Sequence, residues 1–375
     1  MKPTRGGVSA VSRSGGWTFR LGGAAVAALA VCGCWQPVAE RGANVGEGAD
    51  AGLVEAEAQD GGALDAGSSP AEDAGPDVHL PVPLRAVAAL SRTDVWAFGV
   101  GAIFHFDGAR WRDVTPQGAA QVCWTDAEAS EGTVWAVGET ASATVLFDSR
   151  RKTVRPLSWS SGRVEQPRLL KARAAELYVG GAARDAGVLV RSTDDGESWS
   201  AEDLAPCARV IAGNVVPYAL PGGRLVWDGP PIAFTQEGAV MVYVDGPSGR
   251  GWSQSGSVSR GLPVTEAVHF EVDEQGYVVA WFATPGAFRR WGGDLGPQPM
   301  TWPAPGASAL TVRAMWAPSR LEQWAVGDDG AVVRFDGQLW GLQPAPSTER
   351  LVDVHGADGW VWVVGEQGAV YHLTP

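Results

Sequence analysis

Few residues in this sequence have the types and spacing that metal binding or catalysis requires. The five histidines show no ligand spacing such as His-x-x-x-His, so we interpret each as a solvated or strand-edge residue. They are His79, His105, His269, His355 and His372. No Gly-x-Ser-x-Gly nucleophile turn, phosphate-binding loop, dinucleotide fingerprint or calcium-binding loop is present. The sequence therefore predicts no metal, no cofactor and no catalytic residue.

Two pairs of adjacent aspartates, Asp194-Asp195 and Asp328-Asp329, could offer oxygen ligands to calcium. Calcium takes about six to eight oxygens that are spread around the ion. Two neighbouring carboxylates in a tight turn do not supply that spread. We therefore interpret both pairs as turn residues.

The elements that would position any site are strand-and-turn units, repeated from about residue 85 to the end of the chain. The clearest copy is residues 323–340, QWAVGDDGAVVRFDGQLW, in which short apolar runs alternate with glycine-bearing turns. Such runs predict strands, and Asp-Gly favours a hairpin because glycine adopts positive φ without a Cβ clash. Aligning the second strand of each copy gives seven anchors: Trp96, Trp135, Tyr178, Ile232, Ala280, Trp324 and Trp362.

The anchors are 38 to 54 residues apart, which is typical of β-propeller blades of about 40–50 residues. One such unit cannot bury both faces of its own sheet, so the units must pack on one another. The predicted fold class is an all-β, seven-bladed β-propeller over residues 81–375. Six and eight blades stay open because the copies between residues 208 and 303 are weak, and a linear β-solenoid is the structural alternative. The last copy lacks a fourth strand, which we expect Val78 to Leu84 to supply.

Residues 192–199, STDDGESW, resemble the Asp-box of sialidase-type (BNR-repeat) propellers, S-x-D-x-G-x-T-W. In that family the motif is a hairpin between the third and fourth strands of a blade. The resemblance implies a structural Asp-box made of Ser192, Asp194, Gly196 and Trp199. Asp194 would accept backbone N–H bonds, Gly196 would supply positive φ, and Trp199 would pack beneath the turn.

The wider kelch-like repeat is similar to repeats of uncharacterised bacterial envelope lipoproteins. An Asp-box occurs in enzymes and non-enzymes alike, and the Phe-Arg-Ile-Pro segment of sialidases is absent here. Most of the 18 tryptophans are expected to fill the seams between blades. Six lie off the repeated positions and are candidates for stacking on sugars at the channel mouth: Trp124, Trp159, Trp291, Trp302, Trp316 and Trp360.

The N-terminus has the pattern of a secretory signal. Four basic residues precede the apolar run at positions 21–31, LGGAAVAALAV, which is shorter than the ~20 residues of a membrane-spanning helix. The run ends in Val-Cys-Gly-Cys, which resembles the lipoprotein box of bacteria and implies lipid attachment at Cys34. We predict a lipoprotein signal peptide at residues 1–33; an ordinary cleaved secretory signal is the alternative.

Residues 34–80 differ in composition from everything that follows. From Trp35 to Leu80 ten acidic residues accompany one basic residue, Arg41, and bulky apolar residues are scarce. Low hydrophobicity with like charge predicts a disordered acidic tether rich in Ala, Gly, Asp and Glu. An acidic interaction tail is the functional alternative.

The cysteines fit the same scheme. With Cys32 removed and Cys34 lipidated, Cys123 and Cys207 remain in an oxidising compartment, where pairing is open to them. Our register puts them on non-adjacent blades, farther apart than the usual Cα separation of about 4.4–6.8 Å in a disulfide. We expect two buried free thiols, and a disulfide between them is the alternative.

These observations favour a lipid-anchored, non-enzymatic binding or scaffolding protein of the cell envelope. The net charge of −13 argues against nucleic acid as a partner. The expected partners are the membrane, through the anchor, and an unidentified protein or glycan, with a monomeric chain. Trp35 after the lipid cysteine, in place of Asp, favours the outer membrane. The alternative function is a glycan-acting hydrolase of sialidase-like type.

Overall fold

The computed structural model describes residues 77–375 apart from fourteen residues or short segments. These are residues 160–161, 174, 184–185, 203–209, 215–231, 236–238, 247–248, 258–267, 273–277, 285–286, 293–297, 301–310 and 320, and the final residue. From residue 202 to residue 310 the strands are described by their backbone alone. The predicted signal peptide, Cys34 and nearly all of the tether lie outside the described residues. Within the described part, no helix has the length and apolar character needed to cross a membrane.

The described chain consists of short antiparallel strands, β1 to β28, which form seven four-stranded sheets. Sheet 1 contains β2 Leu84–Ser91, β3 Asp94–Gly99, β4 Ala102–Phe106 and β5 Trp111–Asp113. Sheet 2 contains β6 Cys123–Ser130, β7 Thr133–Glu139, β8 Thr144–Asp148 and β9 Thr153–Pro156. Sheet 3 contains β10 Glu165–Arg173, β11 Glu176–Ala183, β12 Ala186–Ser192 and β13 Ser200–Glu202. Sheet 4 contains β14 Val210–Asn214, β15 Ile232–Thr235, β16 Ala239–Gly246 and β17 Gly249–Ser257.

The remaining sheets follow the same order. Sheet 5 contains β18 Val268–Val272, β19 Val278–Thr284, β20 Ala287–Gly292 and β21 Gln298–Met300. Sheet 6 contains β22 Val312–Ser319, β23 Glu322–Gly327, β24 Val332–Phe335 and β25 Trp340–Leu342, with a short 3-10 turn at Asp328–Gly330. Sheet 7 contains β26 Leu351–Ala357, β27 Trp360–Gly365, β28 Ala369–Leu373 and β1 Val78–His79.

The sheets are arranged as a β-propeller, so the predicted all-β propeller fold is confirmed. The first strand of each sheet contacts the first strand of the next, and β26 of sheet 7 contacts β2 of sheet 1. Each predicted anchor lies in a second strand, including Trp96 in β3 and Trp362 in β27. Five sheets, namely 1, 2, 3, 6 and 7, are described with side chains. The count of seven blades therefore stays a prediction.

Apolar seams between neighbouring sheets hold the ring together. One core cluster joins sheets 7 and 1 and includes Phe106, Trp111 and Trp362. A second joins sheets 1 and 2 around Trp124 and Phe147, and others fill the seams between sheets 2 and 3 and between sheets 6 and 7. The seam tryptophans each bury a large apolar area, which is the structural role that the sequence predicts for most of them.

Three anchor aromatics, Trp96, Tyr178 and Trp324, have a carboxylate two residues earlier on their own strand and a basic side chain on the next strand. The Asp94 carboxylate accepts hydrogen bonds from Trp96 Nε1 at 2.8 Å and contacts His105 Nε2 at 2.9 Å, and the Trp96 and His105 rings stack at 4.3 Å. In sheet 6 the Glu322 carboxylate accepts bonds from Trp324 Nε1 and Arg334 Nη2, both at 3.2 Å. The hydrogen bonds to the acid and the contact with the basic side chain fix the orientation of these aromatic rings.

The ring is closed by the start of the propeller domain. β1 pairs with β28 as the outermost strand of sheet 7, with Val78 opposite Val370 and His79 opposite Ala369. The backbone N–H of Leu80 donates to the Gly368 carbonyl at 2.8 Å, and the Leu80 side chain is fully buried. The predicted fourth strand is thus present, although it is two residues long and Leu84 belongs to β2.

The prediction of free thiols is wrong for Cys123. This residue begins β6 and is disulfide-bonded. The three other cysteines of the chain lie outside the described residues.

We expect Leu80→Ala to lower the free energy of unfolding by about 2–4 kcal/mol, because it empties a core position at the closing strand. Equilibrium urea unfolding measures this. Leu339→Ala is the matched control, since Leu339 is 66% exposed and its truncation should change the free energy of unfolding by less than about 0.5 kcal/mol. Equal losses in the two variants would mean that β1 does not stabilise the ring.

Candidate functional site

Ionisable side chains of three first strands occupy matching positions near the axis of the ring. Glu128 of β6, Lys171 of β10 and His355 of β26 each lie opposite the anchor aromatic of their own second strand. Two residues before Glu128 and His355, just after a β-bulge, lie Asp126 and Asp353. We call these five residues the axial cluster.

The members of the axial cluster converge although they come from sheets 2, 3 and 7. The Asp126 charge acts on Asp353, and the Lys171 charge acts on both aspartates. The Lys171 and Glu128 charges also act on His355. The side chains of Lys171 and Glu128 keep 34% and 20% exposure. Water therefore reaches part of the cluster.

The cluster joins sheet 2 to sheet 3 and sheet 7 to sheet 1 by hydrogen bonds. Asp126 Oδ2 accepts the backbone N–H of Leu170 in sheet 3 at 2.6 Å. Asp353 Oδ2 accepts the backbone N–H of Val87 in sheet 1 at 2.8 Å, which is the same bond at the seam between sheets 7 and 1. Lys171 Nζ donates to Glu128 Oε2 at 2.5 Å. The polar groups at the axis therefore hold neighbouring sheets in register.

The environment raises the pKa of both aspartates. Burial raises the pKa of Asp126 to about 7, against the opposing effects of the Lys171 charge and the Leu170 N–H. Burial and the nearby Asp126 charge raise the pKa of Asp353 to about 8. Three carboxylates share one lysine here, and a low-dielectric site does not hold that many negative charges without counterions. Near neutral pH both aspartates are therefore partly protonated.

His355 is neutral. Its Nδ1 accepts the backbone N–H of Ala89 at 3.2 Å, so this nitrogen carries no proton and Nε2 carries the one hydrogen of the ring. Burial lowers the pKa of His355 to about 4, despite the nearby Glu128 charge. The ring lies 5.8 Å from that of half-buried Trp316 on β22.

Lys171 keeps its charge. Burial disfavours the ammonium, but the Glu128 and Asp126 charges outweigh burial and raise the pKa of Lys171. A charged lysine is not a nucleophile, so this group acts as an ion-pair donor. Among the described residues, no three His, Cys, Asp or Glu side chains are grouped so that they could hold a metal ion.

The axial cluster is not among the sites predicted from the sequence. The available signal was a pair of polar residues two positions apart on first strands, Asp126 with Glu128 and Asp353 with His355. Sheets 1 and 6 have alanine at the place of the aspartates, Ala86 and Ala314. His355 had been interpreted as a solvated or strand-edge residue, whereas it contacts the neighbouring sheet at the axis.

The predicted Asp-box residues lie at the outer side of sheet 3, in the turn between β12 and β13. Asp194 Oδ1 accepts the Ser192 hydroxyl at 2.7 Å and the Ser198 backbone N–H at 2.9 Å. Gly196 has φ +74°, and its carbonyl accepts Trp199 Nε1 at 3.1 Å. The Ser198 and Ser192 hydrogen bonds lower the pKa of Asp194 to about 2. This carboxylate orders the turn and is remote in the sheet from the axial cluster.

The aspartate pairs that invited a calcium interpretation are turn residues. Asp195 and Asp329 have positive φ of 56° and 57°. The Asp328 carboxylate accepts two hydrogen bonds from Arg313 and one from Arg350.

The six off-register tryptophans do not form one group. Trp124 is fully buried in the seam between sheets 1 and 2, so its interpretation as a channel residue is wrong. Trp159 packs against the core between sheets 2 and 3, and Trp360 stacks on His372 at 4.7 Å. Trp316 reaches the axial cluster. The other two have no described side chain; they are Trp291 and Trp302.

Solved structures similar to this chain share its fold. YCF48 bound to a D1 peptide superposes with a TM-score of 0.56 at 16% identity, covering 84% of this chain and 99% of that chain. Virginiamycin B lyase from Staphylococcus aureus, catalytically inactive and with quinupristin, gives 0.61 at 12% identity, covering 80% and 98%. The computationally designed Ika8 protein gives 0.55 at 15% identity, covering 81% and 100%. At such identities the likeness shows the propeller fold alone. No family model and no curated protein matches the chain.

We expect the free energy of unfolding to fall by about 1–3 kcal/mol between about pH 6.5 and about pH 8.5. The folded protein has raised aspartate pKa values, so it binds more protons than the unfolded chain in this range and loses that advantage as pH rises. The opposite contribution of His355 is confined to lower pH, between its folded pKa of about 4 and the ordinary histidine pKa of 6.5.

Urea unfolding across this pH range measures the slope for the wild type and for Asp353→Asn. The variant should show a clearly shallower pH dependence, whatever its stability at a single pH. Asp336→Asn is the control, because backbone N–H bonds lower the pKa of that exposed turn aspartate. An unchanged slope in Asp353→Asn would contradict the assignment.

Proposed function

We propose that this protein is a lipid-anchored binding scaffold of the cell envelope, whose propeller binds a peptide segment of another protein. The proposal rests on the hydrogen bonds that the axial side chains make to neighbouring sheets. Asp126, Asp353 and His355 each accept a backbone N–H of the following sheet. Groups engaged in this way stabilise a rigid ring, as a scaffold requires, and are poorly placed to take up and release substrate protons.

The peptide ligand is supported by fold likeness alone. A propeller of similar architecture, YCF48, has been solved with a D1 peptide. Propellers also serve in enzymes, as virginiamycin B lyase illustrates, so the fold leaves catalysis open. The same experiment should therefore measure binding and turnover together.

The proposed ring has seven blades. Support comes from the seven four-stranded sheets and from the contacts of their first strands, which run through sheets 1 to 7 and return to sheet 1. The proposed anchor is the lipidated Cys34, with the acidic tether between the membrane and β1. The disulfide at Cys123 supports an envelope location, because disulfides persist in oxidising compartments. Trp35 after the anchor favours the outer membrane.

The proposal is tested with purified Cys34→Ser protein. We expect phage-displayed peptides to yield ligands with Kd in the micromolar range, about −8 kcal/mol, and fluorogenic glycosides to show no turnover. A heat-unfolded sample is the control for nonspecific capture. Glycoside turnover without peptide binding would overturn the scaffold proposal in favour of the glycan-acting hydrolase.

The anchor has its own test. Cys34→Ser should move the protein from the membrane pellet to the soluble fraction, because a lipid chain contributes about 0.8 kcal/mol of membrane affinity for each buried CH₂ group. Cys32→Ser is the matched control and should leave the protein in the pellet. If Cys34→Ser also stays in the pellet, lipidation at this position is wrong.

A further inference from the structure

A chain of ion pairs crosses sheets 6, 7 and 1 at one face of the ring. We call this the upper face; first strands begin here, and second strands therefore end here. Arg313 donates two hydrogen bonds to Asp328, both at 2.9 Å, and Arg350 donates to the same carboxylate at 2.8 Å. Arg350 also donates to Glu366 at 2.9 Å, and Arg85 donates to Glu366 at 3.0 Å.

The carboxylates of this chain occupy a repeated position. Asp328 and Glu366 each follow the glycine that ends a second strand, and Glu139 does so in sheet 2. Each contacts the start of the next sheet; Glu139 Oε2, for example, accepts the backbone N–H of Gln166 at 3.1 Å. In sheet 1 the residue after the glycine is Val100, so the repeated carboxylate is missing there.

The missing carboxylate leaves Arg85 with fewer partners than its counterpart in sheet 6. Arg85 and Arg313 are equivalent, because each follows the residue that pairs with the terminal glycine of its second strand. Arg313 donates two hydrogen bonds to Asp328, the carboxylate of its own sheet. Arg85 makes one, from Nη1 to Glu366 of the preceding sheet, within the part of the chain that the structure describes.

The hydrogen bonds and the exposure of Arg85 favour an anion at this place. Arg313 and Arg350 each donate two hydrogen bonds to the carboxylates of this chain of ion pairs, whereas Arg85 donates one. The side chain of Arg85 is 24% exposed, so a partner would be partly shielded from water, and Val100 is 40% exposed. Glu366 orients the Arg85 guanidinium, and a planar guanidinium binds a carboxylate best through two parallel N–H bonds.

We propose that Arg85, above Val100, is a carboxylate-binding site that takes an acidic side chain or the C-terminal carboxylate of a bound peptide. The ligand carboxylate occupies the place that Asp328 holds beside Arg313 in sheet 6. This inference deepens the proposed function and rests on it for the peptide, while the site itself is defined by the missing carboxylate.

The sharpest test supplies that carboxylate within the chain. Val100→Asp places it on the repeated position, and Val100→Asn is the matched control with the same shape and no charge. In the wild type and in Val100→Asn, millimolar N-acetylglycine or N-acetylaspartate amide should shift the NMR signal of the Arg85 Nε–H group, assigned by its loss in Arg85→Lys. The two probes distinguish a main-chain from a side-chain carboxylate. In Val100→Asp neither probe should shift the signal.

Peptides selected in the scaffold experiment give the second readout. We expect their affinity to fall about tenfold or more in Arg85→Lys and in Val100→Asp, relative to Val100→Asn, because a two-point charged contact is lost. Thermal unfolding checks that the variants are folded. Probe shifts that persist in Val100→Asp would overturn the site, and so would an unmoved Arg85 signal in the wild type. Probe binding at Arg85 without any peptide ligand would support the site and refute the scaffold function.

Discussion

Sheets 1, 2 and 7 have two apolar faces each, and four short strands cannot shelter either of them. A face can be covered by a neighbouring sheet, which then has its own far face to cover. The far faces of the first and last sheets are covered when these two sheets pack on each other. Sheets 7 and 1 do so in the seam around Phe106, Trp111 and Trp362. The turns, the anchor aromatics and the bulged first strands all serve this packing.

Polar contacts then decide how neighbouring sheets align, and they differ from seam to seam. Asp126 and Asp353 make the same bond to the next sheet at two seams, whereas Ala86 occupies that place in sheet 1, where apolar packing suffices. Asp126 and Asp353 hold protons near neutral pH because Lys171 neutralises one of the three nearby carboxylates. A repeated backbone thus carries an unrepeated set of charges, and function in such a ring depends on the positions where one copy departs from the others.

The sequence was informative wherever the structure is local. The strand and turn pattern, the anchors such as Trp96 and the need for a strand before Leu84 all follow from residue types within one repeat. The axial cluster could not be predicted in this way, because Asp353 and Val87 meet across 266 positions of sequence. The prediction that Trp124 lines the channel mouth is wrong for the same reason. Burial in a seam depends on contacts with the neighbouring sheet, and the sequence of a single repeat does not encode those contacts.

The strand that completes sheet 7 is made first and used last. Val78 leaves the ribosome long before Val370, its partner in the pairing of β1 with β28. Until the final repeat has been synthesised, this strand has nothing to pair with, and joining chain segments so distant in sequence is slow because of the entropy that closure costs. Assembly of the ring therefore ends with a single late event, and a chain that stops short of its last strand remains an open arc with unsheltered apolar edges, a natural substrate for chaperones and proteases.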